Sequence, residues 1–127
     1  MNVILGISVS HNGSVSLICD GEVKVAIQAE RISRRKRQIL YIDKDTDLLK
    51  KCVKYCLDYS KLKYEHINAI AISTPWELRN IRNEDLFNNI GGIPKQYFGT
   101  FYVPHHLSHM EYIIHYGGMQ PGIVLVI

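Results

Sequence analysis

One dipeptide constrains this chain more than any other: Asp20-Gly21, between the apolar-rich runs "VSLIC" and "EVKVAIQAE". A two-residue type I′ turn needs positive φ at both central positions, which Asp-Gly tolerates at low cost. A hairpin is therefore expected around residues 20 and 21. The β-branched run "NVILGISVS" precedes it, joined through "HNGS". These three segments predict a three-stranded antiparallel meander.

From about Asp45 the apolar period changes. Leu48, Leu49, Cys52, Val53, Cys56 and Leu57 recur at three-to-four spacing, which predicts one buried face of an amphipathic helix. Asp45 and Asp47 stand at its start, where they suit capping and the helix dipole. "INAIAIS" (67–73) is a short continuous apolar run, as in a strand covered on both faces. Glu77 to Asn88 is expected to be helical, "NNIGGIP" a loop and "TFYVP" another strand. A helix over "HHLSHMEYIIHYGG" and a last buried strand, "GIVLVI", complete the pattern. Antiparallel strands followed by alternating strands and helices predict an α/β domain. Its sheet would be mixed, with flanking helices, in the manner of a ribonuclease H-like (actin-like ATPase) half-domain. Chain termini usually lie exposed, so an apolar strand reaching Ile127 is read as the end of a truncated N-terminal lobe spanning 1–127.

At 127 residues, with 46% hydrophobic and 21% charged residues, the chain suits one soluble domain. No apolar run approaches the ~20 residues that span a bilayer, so no membrane partner is expected. The first residues read as a strand and not as a signal peptide. Three cysteines (Cys19, Cys52, Cys56) make no disulfide framework. Cytoplasmic localisation is the expectation. Cys52 and Cys56 fall on the apolar helix face and are read as core.

Three stretches could carry chemistry. Four of the six histidines lie in "PHHLSHMEYIIHY" (104–116). If Pro104 opens a helix, His105 and His109 are one turn apart and close enough to share a divalent metal. His106 points elsewhere, and His106 in the place of a glutamate removes the general base of an H-E-x-x-H metalloprotease. The bland reading is a polar helix face. In the "SHNGS" turn, His11, Asn12, Gly13 and Ser14 could bind an anion, or form an ordinary polar loop. "RISRRKR" (31–37) holds five of the fifteen Lys and Arg residues, although the net charge is only +3. Without interleaved aromatics it is not a base-stacking surface, and nucleic acid is not an expected partner. Read as a solvated loop, it still leaves Glu30, Arg31 and Arg34 within reach of a phosphorylated small molecule.

Taken in order, these pieces resemble the NodU/CmcH carbamoyltransferase family. "ILGISVSHNGSVSLICDGEVKVAIQAERISRRK" is similar to that family's opening strand, His-Asp-Ser/Ala-Ser turn, Asp-Gly hairpin and Glu-Glu-Arg stretch. "HHLSHM" resembles its His-His-Leu-(Ser/Ala)-His-Ala motif, and "GIVLVI" the strand leading to its Asp-Gly motif. The resemblance covers both ends of the chain, and residues 40–100 are compatible with it. It implies an actin-like domain, similar to the tRNA threonylcarbamoyl-transfer proteins. The implied chemistry uses carbamoyl phosphate and ATP to make a carbamoyl-adenylate, whose carbamoyl group passes to a small-molecule hydroxyl. By position, the resemblance makes His105 and His109 ligands of an Fe-, Mn- or Zn-like ion and sets His106 beside the substrates. It places His11 at the acceptor or phosphate site, with Asn12, Ser14, Glu30, Arg31 and Arg34 nearby.

The chain departs from the family at two positions. Asn12 replaces an Asp, removing a carboxylate that could act as base or bind a cation, and Ala29 replaces the first Glu of the Glu-Glu-Arg stretch. A threonylcarbamoyl-type tRNA-modifying subunit stays open, although its motif reads His-Met-x-x-His. So does a non-catalytic actin-fold module that binds a partner through its basic loop. An exposed last strand could also pair two copies into a homodimer.

Overall fold

The computed structural model of the protein describes residues 1–74 and 81–104. Among the described residues, five strands form one mixed sheet: β1 (Val3–Ser8), β2 (Ser14–Cys19), β3 (Glu22–Gln28), β4 (Ala69–Thr74) and β5 (Gly99–Pro104). Their spatial order is β3-β2-β1-β4-β5. The meander forms as expected, with β1 antiparallel to β2 and β2 antiparallel to β3. Asp20 (φ 50°) and Gly21 (φ 83°) both adopt positive φ, as a type I′ turn demands. β4 and β5 then extend the sheet in parallel from β1.

Strand alternation decides which side chains are buried. Val3, Leu5 and Ile7 of β1, Val15, Leu17 and Cys19 of β2, and Ile70 and Ile72 of β4 join one apolar core. That face is covered by helix α2 (Thr46–Ser60), which contributes Leu49, Cys52, Val53, Cys56 and Leu57. Cys52 and Cys56 are core residues, as their spacing indicates, and the Cys56 thiol donates to the Val15 carbonyl at 3.6 Å. Helix α3 (Asn83–Ile90) adds Leu86 and Ile90 to the same core.

Some local expectations need correction. Asp45 is the residue before α2, yet its side chain does not cap the helix. Its carboxylate accepts the Tyr41 N–H at 2.9 Å, closing the preceding turn instead. The helix expected from Glu77 starts at Asn83 within the described residues; Ile81 and Arg82 are not helical. Arg82 is extended (ψ 144°), which places it outside the helix. It runs on to Ile90, where left-handed Gly91 (φ 101°) ends it and donates to the Phe87 carbonyl. A helical turn, α1 (Glu30–Ser33), occupies part of the segment read as a loop, and a 3₁₀ turn forms at Tyr64–His66. The helix expected after Pro104 and the strand "GIVLVI" lie outside the described residues.

Candidate functional site at the carboxyl edge of the sheet

In a parallel arrangement the carboxyl ends of the strands lie along one edge, the usual place for ligands in open α/β sheets. Here that edge carries Ser8, Thr74 and Pro104, the last residues of β1, β4 and β5. Because β2 runs antiparallel, it begins at the same edge with Ser14, opposite Ser8, and Ser14 in turn faces Gln28 at the end of β3. The "SHNGS" turn and the start of the basic segment are therefore neighbours, although a hairpin separates them in sequence.

Hydrogen bonds lock the two together. Gly13 donates its N–H to the Gln38 carbonyl at 2.9 Å and accepts from the Ala29 N–H at 2.8 Å. The contact needs glycine for space: a Cβ there would stand 2.5 Å from Leu40 Cβ and 2.8 Å from Leu40 N. Val9 N–H donates to the Ser73 carbonyl at 2.8 Å, anchoring the other end of the turn to β4. The Gly13 N–H, expected as an anion donor, is thus already engaged. His11 and Asn12 at the tip are exposed, while Ser14 is half-buried. Ala29, where the family resemblance would put a glutamate, is fully buried beneath the turn.

Beyond Ala29 the chain turns through α1 and stops at Arg34. That residue takes a left-handed conformation (φ 63°) and donates its N–H to the Glu30 carbonyl at 2.8 Å. Arg35 N–H donates to Ser33 Oγ at 3.2 Å. These bends shape a surface recess of about 360 Å³ lined by Gln28, Glu30, Arg31, Arg34 and Lys36. Among the described residues, no carboxylate lies within ion-pair distance of Arg31, Arg34, Arg35, Lys36 or Arg37. The recess therefore presents three cations against one carboxylate, which suits a small anion.

The predicted residues Glu30, Arg31 and Arg34 do share one recess, and His11, Asn12 and Ser14 lie on the turn bonded to its ends. Gln28 and Lys36 also line it and were not singled out from sequence. Gln28 was detectable by strand alternation, since it ends β3 on the exposed side; Lys36 was hidden within a uniform basic run. The expected metal ligands His105 and His109, and His106, lie outside the described residues. Among the described residues, no three His, Cys, Asp or Glu side chains group as a metal site. No described helix is long and apolar enough to cross a membrane.

No family model matches the chain. Over 92% of its length it is 26% identical to Nodulation protein NolNO of Sinorhizobium fredii, covering 19% of that protein. Over 98% of its length it is 29% identical to an uncharacterized protein of Methanocaldococcus jannaschii, covering 22% of it. The chain thus spans about a fifth of the length of these curated relatives. Among solved structures, YeaZ from Pseudomonas aeruginosa superposes with a TM-score of 0.55 at 14% identity, covering 92% of this chain and 51% of that one. A second Pseudomonas aeruginosa structure, of an uncharacterized protein with similarity to peptidase YeaZ, gives the same TM-score and identity, covering 92% of this chain and 50% of that one. At such identity these two show the fold alone. The chain therefore has the ribonuclease H-like, actin-like half-domain fold, and over nearly its whole length its sequence is similar to that of Nodulation protein NolNO.

Proposed function

We propose that this chain is the N-terminal lobe of an O-carbamoyltransferase. The intact enzyme moves a carbamoyl group from carbamoyl phosphate, through carbamoyl-adenylate, to a hydroxyl of a small molecule. The observation that carries this reading is the bonded pairing of the His11–Ser14 turn with the Glu30–Lys36 recess, in a chain similar to NolNO over nearly its whole length.

In the transfer step the acceptor oxygen attacks the carbamoyl carbon. A new C–O bond forms, the bond to the adenylate phosphate oxygen breaks, and AMP leaves with the electron pair. Arg31 and Arg34 hold phosphate oxygens by charge-assisted hydrogen bonds. His11 takes the proton of the attacking hydroxyl, a role left to it because Asn12 supplies no carboxylate. Asn12 and Ser14 orient the acceptor, Glu30 bonds an acceptor hydroxyl, and His106 stands beside the carbamoyl group. An Fe-, Mn- or Zn-like ion on His105 and His109 would polarise the transferred group. Two histidines leave that ion in need of further ligands.

The test is carbamoyl transfer by the intact protein, supplied with ATP, labelled carbamoyl phosphate and a panel of hydroxyl acceptors. Arg34→Ala should weaken apparent affinity for the phosphorylated substrate roughly tenfold or more, the scale of a lost hydrogen bond to a charged group. His105→Ala/His109→Ala should abolish stoichiometric metal. An intact protein that holds no metal and binds neither ATP nor carbamoyl phosphate would sink the enzyme reading in favour of a binding module. Salt-sensitive tRNA binding would favour a threonylcarbamoyl-type subunit instead.

A further inference from the structure

The loop that lines the recess is tied at both ends to one residue. Ala29 N–H donates to the Gly13 carbonyl at 2.8 Å, and Gly13 N–H donates to the Gln38 carbonyl at 2.9 Å. Between these anchors stand Arg31, Arg34, Arg35, Lys36 and Arg37, all exposed. Arg31, Arg34 and Lys36 line the recess, whereas Arg35 and Arg37 do not. The run holds +5 of charge in a chain whose net charge is +3, so the remaining residues sum to −2. Arg34 (φ 63°) and Arg37 (φ 55°) are left-handed, a conformation that glycine adopts without steric cost and arginine does not. The loop thus keeps cations at two positions where its backbone favours glycine.

We propose that Arg35 and Arg37 steer anionic ligands into the recess by attraction that acts before contact. Each is next in sequence to a residue that lines it, with Cα atoms about 3.8 Å apart. That separation is well inside the screening length of about 8 Å at physiological ionic strength. Attraction over this range needs no fixed side-chain pose, which suits two exposed arginines on an anchored loop. Charges of one sign gathered at a recess raise the on-rate of the opposite sign by about 10- to 1,000-fold. Because the other residues sum to −2, the attraction belongs to this loop and not to a general surplus of cations. Glu30 opposes it, but one carboxylate against five cations leaves the sign positive. That the steered anion is a phosphorylated substrate rests on the proposed transferase function; the steering itself does not.

The test reads the field at the recess through a thiol placed in its lining, in the intact protein. Gln28 is exposed and lines the recess, so Gln28→Cys supplies that thiol. The natural cysteines are buried, and burial pushes the Cys52 and Cys56 thiols up to about 11 and 12; the parent protein measures their slow background. The thiol is reacted with a dianionic disulfide, dithiobis(nitrobenzoate), and with a neutral one, dipyridyl disulfide. The ratio of the two rates cancels the thiol's own ionisation. Compared with a small neutral thiol, Gln28→Cys should favour the dianionic reagent about tenfold or more at low ionic strength. The preference should fade between about 0.01 M and about 1 M salt, as the screening length falls from about 30 Å to about 3 Å. Adding Arg35→Gln/Arg37→Gln should cut it about threefold or more at low salt. Adding Arg37→Gly alone should cut it in part while the melting temperature holds or rises, because glycine relieves the left-handed backbone. Damage to the fold would instead lower both together. A ratio that ignores salt, or that survives the loss of both arginines, would overturn the proposal. Neither ATP nor carbamoyl phosphate enters the measurement, so this proposal and the transferase reading can fail separately.

Discussion

Gly13 is demanded by space and Gly21 by backbone angle, and the two should respond differently to the same substitution. At Gly21 an added Cβ meets nothing within 4 Å, so Gly21→Ala pays only for positive φ, about 1 kcal/mol. At Gly13 the new methyl drives into Leu40 Cβ and its backbone nitrogen. Gly13→Ala should cost about 1–3 kcal/mol, as overpacking does, and should also loosen the recess, because the same residue ties Gln38 and Ala29 together. Urea denaturation of both variants checks the order. The buried thiols give a pH prediction. Cys52 and Cys56 are raised from an ordinary value near 9 to about 11 and about 12 by burial, with Cys52 adding a smaller push on Cys56. The folded state therefore keeps protons that the unfolded chain loses. Their contribution is intact below about pH 9 and falls as the pH climbs through 11 and 12. A Cys52→Ala/Cys56→Ala variant should show a shallower alkaline fall in denaturation midpoint than the parent.

At the scale of elements, α2 is the main apolar cover of the sheet among the described residues. Leu49 is fully buried in it, and Leu49→Ala should cost about 2–5 kcal/mol. Lys54→Ala removes only an exposed pair with Asp58 at 3.4 Å and should change stability by less than about 0.5 kcal/mol. The helix ends on Lys61 in a left-handed conformation (φ 57°). Lys61→Gly should therefore raise the melting temperature, by relief of about 1 kcal/mol of backbone strain. A lower one would show that the lysine stem packs usefully. The apolar period of α2 was plain in the sequence, because 3.6-residue spacing reports a buried face wherever the helix lands. The start of α3 was not. Glu77 and Asp85 are equally good helix residues, and the boundary depends on Arg82 being extended and on Ile81 donating its N–H to the Tyr102 hydroxyl at 3.2 Å. Such a contact joins residues 21 apart and leaves no local signal.

For the whole molecule, the proposed transferase reading makes the 127-residue chain a lobe that holds ligands but does not turn them over. Calorimetry with carbamoyl phosphate should show weak binding by the isolated chain, lost in Arg31→Ala/Arg34→Ala, alongside no transfer. Robust transfer by the isolated chain would contradict the lobe assignment. The sequence by itself determined the meander, the Asp20-Gly21 turn, the buried face of α2 and the mixed α/β class. Each is written in a local period of two or 3.6 residues or in one turn's φ requirement. The site divides differently. Its residue types could be read in "SHNGS" and "ERISRRK", but only the tertiary structure bonded the first stretch to the ends of the recess that the second one lines. The Gly13 clamp, the membership of Gln28 and Lys36, and the engagement of the Gly13 N–H all depend on strand register and on backbone bonds between Gly13 and residues 16 and 25 positions away. Hydrophobic periodicity reports which side of an element is buried; it does not report which distant backbone group lies there.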